Sequence, residues 1–126
     1  MRREPQAYLW DVREAADAIL EFTLGLCLED YLADRKLRSA VERQFEILGE
    51  ALNQLSKVAP EVAVRVPDLP QIVAFRNLLI HGYATVDHPT VWETLQSRIP
   101  ALRRCVAELL ETYGSAGSTG YNSKLT

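Results

Sequence analysis

Apolar residues recur at three- and four-residue steps along almost the whole chain, and nowhere do they alternate as a half-buried strand requires. From Pro5 onward, Tyr8, Leu9, Val12, Ala15, Ala16, Ile19, Leu20 and Thr23 mark one face of a helix that ends near Gly25. A short Leu26–Asp34 connection with room for a helical turn precedes a second and longest run, from Leu37 through Val41, Phe45, Leu48, Leu52 and Leu55 to Val58, which Pro60 stops. A third helix is predicted from about Leu69 to His81, opened by Asp68 as a cap and closed at Gly82. A fourth opens at Asp87-His88-Pro89 and carries Val91, Trp92, Leu95, Ile99, Leu102, Val106, Leu109 and Leu110 inward, with Pro100 predicted to kink it. Four helices joined by short connections imply an all-α, antiparallel four-helix up-and-down bundle.

The 126 residues fit one domain. Its expected boundary falls at 1–113, because 114–126 (GSAGSTGYNSKLT) holds three of the six glycines and has the composition of a flexible tail. No window is apolar enough for a membrane span. The basic N-terminus lacks the apolar stretch of an export signal, so a soluble, cytoplasmic protein is expected. Cys27 and Cys105 stand far apart without metal-ligand spacing and read as small buried side chains in a reducing compartment. A formal charge of -3 argues against nonspecific coating of nucleic acid, although not against a local basic site.

The chemistry-bearing stretch is Phe75-Arg76-Asn77-Leu78-Leu79-Ile80-His81-Gly82-Tyr83. At 100° per residue Arg76 and Tyr83 fall on one stripe of a helix, whereas His81 lies about 140° away from Arg76. One straight helix therefore does not focus all three. Either the helix loosens at Gly82 or a second copy completes the site. Taken singly, an Arg and a His near a helix C-terminus also complement its dipole, and a Tyr beyond can cover the bundle end.

The pattern Arg76-x4-His81-x-Tyr83 matches the RX4HXY motif, and with it the chain resembles the HEPN superfamily in its HepT-like branch. Ile47-Leu48-Gly49-Glu50-Ala51 is similar to that branch's I-x-GEA segment, and Val86-Asp87 through Val91-Trp92 and Ile99-Pro100-Ala101-Leu102 match its later signatures. The resemblance implies a homodimeric helix bundle acting as a metal-independent endoribonuclease toxin, with two motifs lining a cleft between protomers. It further implies a minimal nucleotidyltransferase (MNT-type) antitoxin that neutralises the toxin by transferring AMP to Tyr83. RNA is the implied substrate, and no metal or cofactor is called for.

The residue types suit that chemistry. RNA supplies its own nucleophile in the 2′-hydroxyl, so the protein needs a proton acceptor, a donor and charge stabilisation. Histidine as a residue type can serve as acid or base, which suits His81 to the proton transfers, and the planar guanidinium of Arg76 suits a bidentate grip on phosphate. Asn77 could bond phosphate, orient His81, or only face solvent. Glu50 could turn inward to Arg76 or remain a solvated helix-face carboxylate. Arg35, Lys36, Arg38 and Arg43 could line an approach for RNA or antitoxin, or simply be solvated, and His88 reads as structural. Two rivals stand beside the nuclease: a non-catalytic HEPN binding module that complexes a nucleotidyltransferase, and a motif that merely holds the third helix and a dimer interface together.

Overall fold

The computed structural model describes residues 3–82 and 86–116, with side chains through Tyr113. They form α1 (Pro5–Thr23), α2 (Leu28–Ala33), α3 (Arg35–Val58), α4 (Pro60–Ala63), α5 (Leu69–His81) and α6 (His88–Ala116). The four long helices are the expected bundle, and α2 and α4, of six and four residues, are short pieces inside its connections. Tyr83 and residues 117–126 lie outside the described residues. No helix among those described is long and apolar enough to cross a membrane.

Helix starts and stops follow local chemistry. Pro5 occupies the first turn of α1, where a missing N–H costs nothing. Gly25, at φ 76°, supplies the left-handed turn after it. The Asp34 carboxylate accepts the Leu37 N–H at 3.1 Å and caps α3. At α6 the Asp87 carboxylate accepts the Thr90 N–H at 3.3 Å.

Asp68 departs from expectation. It holds the residue before α5 at φ 61° and makes no cap bond. Pro70 removes one of the amides such a cap would use, and the left-handed backbone sends the carboxylate to Arg98 of α6 instead, at 2.8 Å. Gly82 does follow α5 as expected, but at φ -117°, with its N–H donating to Leu78 O at 2.7 Å.

The longest helix is α6, with 29 residues against 24 in α3, rather than α3 as the periodicity suggested. It runs unbroken through Pro100 to Ala116, past the Tyr113 boundary. Pro100 and Gln96, whose carbonyl loses its helical donor, are both exposed, so water can satisfy that group. Cys27 is another correction. It is exposed at the start of α2, where its N–H and Sγ both donate to the Asp30 carboxylate, at 2.9 and 3.2 Å.

The core lies where the periodicity put it. Leu9, Val12, Ala16 and Ile19 of α1 pack against Val41, Phe45, Leu48 and Leu52 of α3, with Leu95, Ile99, Leu102 and Val106 of α6 closing the third side. The α1–α3 pairing is the most extensive, α6 lies along α1, and α5 packs chiefly on α3. Phe75 of α5 meets Phe45 edge to face at 5.2 Å between centroids, which fixes the face α5 turns inward.

Candidate active site

α5 approaches α3 closely at Gly49. A Cβ built there would lie 2.5 Å from Arg76 Cγ and inside the radius of Arg76 Cβ, so only glycine admits the arginine stem at this crossing. Beyond it the guanidinium reaches the next residue of α3. Arg76 Nη2 donates to Glu50 Oε1 at 2.7 Å, and Nη1 donates to Asn77 Oδ1 at 2.9 Å. Gln54 Nε2 donates to the other Glu50 oxygen at 3.0 Å. Arg76 Nε is buried and has no hydrogen-bond partner among the described residues.

This cluster is neither fully wet nor dry. The Arg76 side chain is 20% exposed and that of Glu50 46%. A half-exposed pair of this kind contributes at most about 1 kcal/mol to folding, so its consequence is orientation more than stability. Of the two readings of Glu50, the pairing with Arg76 is present, while the carboxylate also keeps contact with solvent.

His81 occupies the last turn of α5 and is exposed. Its side chain makes no hydrogen bond among the described residues. The chain thus gathers Arg76, Asn77, Glu50 and Gln54 together and leaves His81 at the helix end, as a separation of about 140° requires. Gln54 is the member of this cluster that the motif does not contain, although its i+4 spacing from Glu50 is a signal for it.

The Arg76–Glu50 pair opens into a cleft of about 300 Å³ between α1, α3 and α5. Its other charged residues are Arg3, Asp11, Arg43 and Glu46. Arg3 bonds Asp11 at 2.6 Å, and that hydrogen bond raises the Arg3 pKa further. Of the basic cluster near the start of α3, only Arg43 reaches the cleft. Arg38 instead donates to Leu32 O, while Arg35 and Lys36 are exposed.

His88 lies elsewhere, with Nδ1 3.6 Å from Glu42 Oε2. Burial raises the Glu42 pKa, opposed by His88 and Arg38.

The all-α bundle, with an anchored arginine five residues before a terminal histidine on its third long helix, is consistent with the HEPN resemblance of the sequence. The chain belongs to the ribonuclease HepT-like family, whose model matches residues 12–109. It is 38% identical over 107 residues to a protein of Thermococcus cleftensis named "Probable ribonuclease HepT", covering 82% of this chain and 93% of that one. It is 34% identical over 109 residues to a candidate RNase of Caldanaerobacter subterraneus, covering 86% and 96%. A candidate RNase of Methanocaldococcus jannaschii is 32% identical over 105 residues, covering 82% and 84%. No solved structure matches the chain.

Proposed function

We propose that this protein is a metal-independent endoribonuclease, the toxin of a toxin–antitoxin pair, with Arg76 and His81 as its catalytic residues. The observation that carries the reading is the anchoring of Arg76. Gly49 admits its stem, Glu50 and Asn77 hold its two amino groups, and the charge is presented to a cleft rather than to bulk water. A guanidinium held in place can stabilise the developing charge on a scissile phosphate without reorganising.

His81 provides the proton chemistry. As a base it takes the proton of the 2′-hydroxyl, O2′ attacks phosphorus, and the P–O5′ bond breaks as O5′ takes up a proton from an acid. The products are a 2′,3′-cyclic phosphate and a 5′-hydroxyl. Two histidines, one from each protomer of a homodimer, divide the acid and base roles. Supporting that dimer is an exposed stripe of α5, where Pro70, Ala74 and Leu78 follow one another at four-residue steps beside His81. Asn77 and Glu50 are auxiliary, holding Arg76.

Neutralisation follows the family resemblance. An MNT-type nucleotidyltransferase antitoxin transfers AMP from ATP to the Tyr83 hydroxyl, with pyrophosphate leaving. A bulky anion two residues from His81 then opposes RNA by charge and volume.

One observation favours a second reading. Both amino groups of Arg76 are already bonded and His81 stands apart within one chain, as suits a non-catalytic module that acts by complexing its nucleotidyltransferase partner.

Cleavage of a labelled RNA in EDTA decides between them. The parent is expected to cut, and Arg76→Ala or His81→Ala to abolish cutting with helix content and dimerisation intact. No cutting by the parent, or equal cutting by the variants, overturns the nuclease reading. Co-expression with the nucleotidyltransferase should raise the intact mass in AMP-sized steps, and a rise that survives Tyr83→Phe overturns the acceptor assignment.

A further inference from the structure

The cleft beside Arg76 has a composition that cutting one phosphodiester does not require. Its floor is apolar, made by Ile47 and Ala51 of α3 and Ile80 of α5. Three guanidiniums surround it, from three separate segments: Arg3 just before α1, Arg43 on α3 and Arg76 on α5. Each is matched with a carboxylate, Arg3 with Asp11 at 2.6 Å, Arg43 with Glu46 at 3.3 Å and Arg76 with Glu50 at 2.7 Å.

The first two pairs are solvent-exposed on the arginine side, at 45% and 69%. Exposed pairs of this kind are weak, so a phosphate can replace the carboxylate at little cost. Arg76 is the better anchored of the three, at 20% exposure. The arrangement separates one fixed cation from two exchangeable ones around a small apolar floor.

From this we infer that the cleft is a subsite for single-stranded RNA, in which one unstacked nucleoside sits on the apolar floor while Arg3 and Arg43 meet the phosphates flanking the one held by Arg76. The inference rests on the ribonuclease reading for its ligand. A cavity of about 300 Å³ is at the small end of ligand sites and has the scale of one nucleoside. A base paired within a duplex cannot enter it, because its faces and edges are already engaged. Gln54 and the carboxylates of Asp11 and Glu46 provide hydrogen-bonding groups at the rim.

The test measures binding apart from cleavage. A fluorescent single-stranded 2′-O-methyl oligoribonucleotide, which lacks the attacking hydroxyl, is titrated by anisotropy against the full chain, Arg3→Ala and Arg43→Ala. The control is Arg104→Ala, an equal charge change at an exposed position of α6 outside the cleft. Each cleft variant is expected to weaken binding about three- to tenfold and to lower the slope of log affinity against log salt by about 0.7. Arg104→Ala should stay within about twofold of the parent, and the oligonucleotide annealed to its complement should bind about tenfold more weakly.

Cleft variants that behave as Arg104→Ala, or a duplex that binds as well as the single strand, overturn the proposal. Binding that depends on Arg3 and Arg43 without any cleavage of ordinary RNA leaves the subsite standing and removes the nuclease. Cleavage that ignores both arginines does the reverse.

Discussion

Arg76 fills the space that a side chain on Gly49 would need. The glycine of the Gly-Glu-Ala segment on α3 and the arginine of α5 are therefore one packing unit, although they are far apart in the chain. Gly49→Ala is expected to push α5 outward, costing about 1–3 kcal/mol by overpacking. Because displacement of the guanidinium by about 1 Å can cost about a hundredfold in rate, cleavage should fall far more than the fraction folded. Melting curves and RNA cleavage on the same preparation check this, and cleavage that tracks stability alone would contradict it.

Glu50 should act on the geometry of Arg76 more than on the fold. Glu50→Gln keeps an acceptor for Nη2, whereas Glu50→Ala removes it. With the carboxylate 46% exposed, both variants should remain within about 1 kcal/mol of the parent in stability. Cleavage should survive largely in Glu50→Gln and drop about tenfold in Glu50→Ala, the size of one lost positioning bond. Equal losses in the two would show that the charge, not the acceptor, matters.

The carboxyl of Glu42 gives the fold a pH dependence of definite sign. Burial raises its pKa above the ordinary 4.5, more than His88 and Arg38 lower it. A group whose folded pKa is raised lends stability below its unfolded pKa and loses it as pH climbs through the folded one. Glu42→Gln should thus match the parent near pH 4 and gain on it toward pH 7. Melting temperatures of both proteins across that interval provide the check, and a gap that narrows with rising pH would contradict it.

Tyr31 carries a buried hydroxyl without a hydrogen-bond partner among the described residues. Burial, then the charge of Glu42, pushes its phenol well above the usual range. The ring itself is useful, since it lies 5.4 Å from that of Trp92. Tyr31→Phe should therefore be neutral or stabilising by up to about 1 kcal/mol, whereas Tyr31→Ala should cost about 3–5 kcal/mol. Chemical denaturation measures both.

Much of the bundle is legible in the sequence for a definite reason. The four apolar stripes have the helical period, so Leu9, Phe45 and Leu102 declare their inward faces by spacing alone. What stays hidden depends on neighbours distant in the chain. Asp68 looks like a cap, but Arg98, thirty residues on, takes its carboxylate. Pro100 lies inside α6, and its solvent-facing position lets the helix continue on both sides of it. At the site, spacing places Arg76 and His81 on different sides of one helix. It cannot choose between the inward and solvated readings of Glu50, nor reveal that Arg3 closes the cleft from the start of α1.

Because α5 leans chiefly on α3, while α1 pairs with both α3 and α6, the bundle is expected to open as two cooperative units of unequal strength. The weaker one bears the motif. Amide protons within α5 should exchange through partial opening, whereas those at the α1–α3 seam wait for global unfolding. When α5 lifts, Arg76 leaves Glu50 and the cleft loses one wall, yet the remaining three-helix block keeps its own core. Disarming the site is therefore expected to require less free energy than unfolding the protein.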